Sequence, residues 1–176
     1  MTVNEDPASS NSSVSDEGRT LVDASHLKLL VVDNEAAHAR AMTESLEKVG
    51  YTCEVATSGP EAANLIERET YDIVITDMVM NDIDGMQILK LAKERLPDSQ
   101  VVMVTGHATV PVAVEAMQKG AFNFLEKPIT PNRLRAIAEK AADAVLLKRQ
   151  NTELLQRLDE RFGFEGIIYV LSLIHI

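Results

Sequence analysis

Apolar residues fall into five short runs along the chain, each followed by a stretch in which they recur at helical spacing. Leu29-Leu30-Val31-Val32 is the first run. After it Ala39, Met42, Leu46 and Val49 mark a helix face that closes at Gly50. Residues 52–56 predict a second strand, and Ser58 with Pro60 opens a helix carrying Ala62, Leu65 and Ile66. Ile73-Val74-Ile75 leads to Thr76 and Asp77, and the next helix carries Met86, Leu89, Ala92 and Leu96. Val101-Val102-Met103-Val104 runs into Thr105-Gly106-His107. Val110, Ala113, Val114 and Met117 then form a stripe expected to be that helix's core face. Residues 122–126 are the fifth strand, and a fifth helix begins near Thr130 with Pro131 in its first turn. The first, third and fourth runs do not alternate with polar residues, as strands covered on both faces should not. Strict strand–helix alternation predicts an α/β domain with a parallel sheet between helices.

Composition narrows the class. The chain has 176 residues, 45% of them hydrophobic, and a formal net charge of −10. That balance argues against non-specific nucleic-acid binding. Most of the acidity lies between residues 28 and 129, where it can help attract a cation. Cys53 is the single cysteine, which excludes an internal disulfide and a cysteine-based metal site; within a strand it is expected to act as a small buried hydrophobe. Residues 1–26 are rich in Ser, Asn and acids and are expected to form a disordered arm. Nothing reads as a signal peptide, and no apolar run approaches the roughly 20 residues of a membrane span. The expectation is a cytosolic protein without membrane contact.

In a parallel sheet all strand carboxyl ends share one edge, where ligands of open α/β sheets bind. That edge should collect Asp33, Asn34 and Glu35 from the first strand, Asp77 from the third, Thr105 from the fourth and Lys127 from the fifth. Two carboxylates about 4 Å apart repel by roughly 4 kcal/mol at an effective dielectric near 20. A divalent cation relieves that repulsion, and an oxygen-only donor set favours Mg²⁺. A phosphoryl group approaching Asp77 would have its charge met by the cation and by Lys127, with the Thr105 hydroxyl as a further donor.

With these residues in place, residues 27–143 resemble the receiver domain of a bacterial two-component response regulator. VTGHA and GAFNFLEKP are similar to the subgroup of NtrC-type, sigma-54-dependent activators. The resemblance implies a flavodoxin-like (βα)5 fold with sheet order 2-1-3-4-5 and an extended C-terminal helix. It implies Asp77 as phosphoacceptor, with a sensor histidine kinase as donor. Asp33, Asn34, Asp77 and the Val79 backbone carbonyl would hold Mg²⁺. Thr105 and Phe124 would be the switch residues, Lys127 would contact phosphate, and the bond before Pro128 would be cis. Val79 and His107 align with positions that tune phosphoryl lifetime; loop filler is the alternative for both, and a plain core aromatic is the alternative for Phe124. No turnover enzyme is implied, only Mg²⁺-assisted self-phosphorylation and autodephosphorylation. Two positions depart from the family pattern. Asn34 replaces an acid, which predicts weaker Mg²⁺ binding unless Glu35 compensates, and Asn81 stands where proline is usual.

The fifth helix is expected to continue as a linker over residues 144–162. Ile137, Ala144, Asn151 and Leu158 can be read as heptad a, and Leu147 and Leu154 as d, giving a short coiled coil whose Asn151 would fix a dimeric register. A single amphipathic linker helix is the alternative. The receiver resemblance implies a homodimer through the fourth and fifth helix region and this linker. Residues 163–168 resemble the first residues of an AAA+ ATPase domain, and residues 169–176 (YVLSLIHI) are expected to be largely foreign to the gene. The chain has no P-loop and no helix-turn-helix, so ATP hydrolysis and DNA reading by those means are not expected of it. Two functional alternatives stay open. One is a hydrolase using Asp77 as a turnover nucleophile, against which Val79 stands where a second catalytic acid would be needed. The other is a pseudo-receiver that binds partners without being phosphorylated.

Overall fold

A computed structural model describes residues 26–174. The elements alternate as β1 (Lys28–Val32), α1 (Ala36–Glu47), β2 (Thr52–Ala56), α2 (Gly59–Arg68), β3 (Ile73–Asp77), α3 (Gly85–Arg95), β4 (Gln100–Thr105), α4 (Val110–Gln118), β5 (Asn123–Glu126) and α5 (Pro131–Ile174). All pairings are parallel and the strand order is β2-β1-β3-β4-β5. This is the doubly wound, flavodoxin-like order, with its switch point between β1 and β3.

The sheet is covered on both sides. Leu29 and Val31 of β1, Ile73 and Ile75 of β3, and Val102 and Val104 of β4 pack beneath α1 and α5. The intervening residues Leu30, Val32, Val74, Val101 and Met103 face α2 and α3. Burial of each such side chain contributes about 1.5–3 kcal/mol, which is why apolar residues occupy both faces of these strands until their carboxyl ends. Ser58 caps α2 by accepting from Glu61 N at 3.3 Å. Asp84 and Gln87 form a reciprocal capping box at the start of α3. Gly50, with φ of 100°, takes the left-handed conformation that ends α1.

Three expectations change. Val49 lies past the end of α1 and is half exposed, because the helix stops at Glu47 and Gly50 turns the chain away. In α4 only Ala116 is fully buried; Val110, Val114 and Met117 are 77%, 47% and 49% exposed, so the stripe expected to be the core face points outward. Ile137, expected in the dimer seam, is partly buried against the core cluster beneath α1 and α5, so part of its side chain is committed to the receiver's own packing.

α5 is a single helix of 44 residues, with no break at the expected linker boundary near residue 162. Among residues 131–161 its last buried side chain is Val145; Leu147, Asn151, Leu154 and Leu158 are exposed, as is Leu155. The expected disordered arm, apart from His26, and the last two residues of the tail lie outside the described residues. Among the described residues no helix is long and apolar enough to cross a membrane.

Candidate functional site: an acidic pair bridged by lysine

The carboxyl edge of the sheet builds the site. β1 ends at Val32 and delivers Asp33, which is fully buried; β3 ends on Asp77, only 6% exposed. Burying two carboxylates this close requires charge compensation, and β5 supplies it. Lys127 Nζ donates to Asp33 Oδ2 and to Asp77 Oδ2, each at 2.8 Å. The other oxygen of each acid accepts from a backbone amide two residues on: Glu35 N to Asp33 Oδ1 at 2.8 Å, and Val79 N to Asp77 Oδ1 at 3.2 Å. These are turns of the kind aspartates favour, and they hold both carboxylates in fixed orientations.

Burial alone would lower the Lys127 pKa and is the largest single influence on it. The hydrogen bonds and charges of Asp33 and Asp77 together outweigh it and raise the value above 10.5. Lys127 is therefore a cation across the working range of pH. The bond from Lys127 to Pro128 is cis, as expected, and Lys127 N donates to Thr105 O at 2.8 Å, tying β5's exit to β4.

Thr105 is buried at the end of β4, and its hydroxyl accepts from His107 N at 3.2 Å. His107 itself is exposed, as is Val79 beside Asp77. Phe124 is half-buried against the core on the α2/α3 side. Asn34 is exposed next to Asp33. Glu35 lies with His38, whose Nδ1 is 3.1 Å from Glu35 Oε2 and 3.9 Å from Asp33 Oδ2.

Two neighbours of the site were missed in the sequence. His38 reaches Asp33 from the first turn of α1; its spacing of three from Glu35 was the available signal. Gly85 is needed for close approach, since a Cβ there would lie 2.3 Å from the Asp77 carbonyl oxygen and 2.8 Å from Met78 Cα. α3 thus begins directly against the backbone that carries Asp77. The site's donor set is oxygen only, which suits a hard cation such as Mg²⁺. Asp33 and Asp77 would be its carboxylate ligands. Among the described residues no three His, Cys, Asp or Glu side chains are grouped to hold a metal.

An open parallel sheet with a buried acidic pair and a lysine at its switch-point edge defines the class of CheY-like receiver folds. The family model described as the response regulator receiver domain matches residues 29–139, and the chain belongs to that family. The alginate biosynthesis transcriptional regulatory protein AlgB of Pseudomonas aeruginosa is 34% identical over 139 residues, covering 79% of this chain and 30% of AlgB. An NtrX-like response regulator of Rickettsia felis is 30% identical over 144 residues, covering 81% and 30%. Among solved structures, NtrX of Brucella abortus superposes with a TM-score of 0.68 at 31% identity, covering 73% of this chain and 30% of that one. The beryllofluoride-activated NtrC4 receiver domain dimer gives 0.64 at 35% identity, covering 67% and 98%. The chain spans about 30% of the length of these curated relatives.

Proposed function

We propose that this chain is the phosphoacceptor module of a two-component transcription regulator, acting in the cytosol and phosphorylated on Asp77 by a sensor histidine kinase. The bridging of Asp33 and Asp77 by Lys127 carries this reading. An Asp77 carboxylate oxygen attacks the phosphorus of a phosphohistidine; the new O–P bond forms as the P–N bond breaks, and the imidazole leaves with the electron pair. Lys127 is already within hydrogen-bonding distance of the acceptor oxygen, so it can follow the charge from carboxylate to phosphoryl without leaving the pocket. Thr105, freed from the His107 amide, would donate to a phosphoryl oxygen. Mg²⁺ held by Asp33, Asp77, the Asn34 side-chain oxygen and the Val79 carbonyl would neutralise charge on the transferred group. Val79 and His107 flank the acceptor and would set how readily water reaches the acyl phosphate.

The outward-facing α4 stripe and the exposed α5 stripe support a homodimer, as does the likeness to the NtrC4 receiver dimer. The greater length of the relatives supports a further output module, which the NtrC-type resemblance assigns to sigma-54-dependent activation.

Incubating the purified chain with Mg²⁺ and acetyl phosphate should add one phosphoryl mass, lost in Asp77→Ala. Asn34 and Asn81, which depart from the family pattern beside Asp33 and Asp77, favour a second reading, a receiver that binds partners without phosphorylation. No adduct on the wild-type chain would establish that reading and overturn the first. Rapid consumption of acetyl phosphate without an adduct would instead mark Asp77 as a turnover nucleophile.

A further inference from the structure

At the opposite edge of the sheet from Asp77, α5 is held by charge. Arg149 pairs with Asp72 Oδ1, and the other oxygen of Asp72 accepts from Lys28 N at 2.8 Å. Asp72 directly precedes β3, and its side chain is only 15% exposed. Its backbone is locked as well: its amide donates to Lys28 O at 2.8 Å and its carbonyl accepts from Gln100 N at 2.9 Å. One residue earlier in α5, Lys148 Nζ reaches Asp98 Oδ1 at 2.8 Å and Pro97 O at 3.1 Å. The same turn between α3 and β4 is gripped from its other side by Lys93, which donates to Ser99 O at 2.7 Å. Both contacts fall on the first turn of α5 past Val145, where the hydrophobic hold on the helix ends.

The two faces of α5 divide the work. At about 100° per residue, Leu147, Asn151, Leu154 and Leu158 form a stripe roughly 150° round the helix from the buried Leu134, Ala138, Ala141 and Val145. Arg149 lies close to the buried side. Arg149 lies almost opposite the exposed apolar stripe and Lys148 about a quarter-turn from it, so neither charged contact uses the apolar face and one can be engaged without displacing the other.

We propose that Lys148 and Arg149, with Asp98 and Asp72, form an intramolecular clamp that carries α5 past the receiver as one body and fixes the rotational phase in which its apolar stripe leaves the domain. Two anchors on separate loops oppose pivoting, because tilting or turning the helix must stretch at least one of them. The consequence for output rests on reading residues 147–158 as a linker, but the clamp itself requires neither phosphorylation nor a partner.

Amide hydrogen exchange on the intact chain tests it, with sedimentation run alongside to match association states. In the double variant K148A/R149A, peptides covering residues 147–158 should exchange roughly fivefold faster, the effect of losing about one pair's worth of stability, while the β3 and β4 peptides keep their protection. Arg149→Lys should stay near wild type. About 1 M salt, which shortens screening to ~3 Å, should speed exchange in wild type and add little in the double variant. Alanine is the better helix former, so without a clamp the double variant would exchange at the same rate or more slowly. That result, or a loss of protection spread equally over β3, overturns the proposal. A chain that fails to take up phosphoryl would leave this measurement unaffected.

Discussion

Lys127 is the residue on which the site's electrostatics turn. It is the cation between two buried carboxylates, so its removal should expose their repulsion directly. Lys127→Ala is expected to destabilise the domain by about 3–5 kcal/mol, measured by urea denaturation, and added Mg²⁺ should recover part of the loss. The pH dependence has a defined sign. The folded-state pKa of Lys127 lies above 10.5, so its contribution is fully present below 10.5 and is lost as pH rises through that higher value. The wild-type urea midpoint should therefore fall at high alkaline pH by a component that the alanine variant lacks. Asn34 sets the other expectation. Asn34→Asp adds a charge beside Asp33 and should tighten Mg²⁺ binding by at least about fivefold; indistinguishable calorimetric titrations of the two proteins would refute this. At this scale the sequence placed Asp33, Asp77, Thr105 and Lys127 at one edge of the sheet, where they lie. Each is a polar residue abruptly ending an apolar run, and topology alone brings those ends together. It failed for Gly85 and His38, whose importance lies in distances to Asp77 and Asp33 that no local pattern encodes.

Among the elements, α4 carries the main lesson. Its periodicity revealed that an apolar face exists but not what covers it. Ala116 alone fits into the sheet side, so the larger Val110, Val114 and Met117 are left outside. Because Val114 is half exposed, Val114→Glu should change stability by no more than about 0.5 kcal/mol. The same substitution should abolish any dimer formed by the phosphorylated chain, as read by sedimentation velocity; a phosphorylated variant that still dimerises normally would remove α4 from the interface. α5 makes a complementary point. Heptad counting treats Ile137 like the later a positions, whereas the first turns of that helix pack against the receiver's own core and the exposed leucines begin at Leu147. A heptad pattern does not register the point at which a helix leaves its domain. Strand positions were more legible. β1, β3 and β4 are continuous apolar runs bounded by polar residues, and all three appeared where the runs predicted them.

For the molecule as a whole, the two edges of the sheet have separate duties. The carboxyl edge holds the acidic pair and Lys127; the amino edge, through Asp72 and the turn before β4, holds the emerging helix. The alternation of strands and helices made the first edge predictable, because any parallel sheet gathers its strand exits. The second was not foreseen, since Asp72 and Arg149 are 77 residues apart and each alone is an ordinary surface charge.

The unbroken 44-residue course of α5 turns this arrangement into a lever. With the receiver as its short arm, about 43 Å of helix projects beyond Val145, and a tilt of roughly 5° at the domain would sweep the far end through about 4 Å. A small rotation of the receiver and its clamped helix together would thus become, at the last described turn, a movement comparable to the width of a side chain. The displacement depends on length as well as on chemistry, so shortening α5 by whole turns would reduce it while leaving the carboxyl edge of the sheet intact.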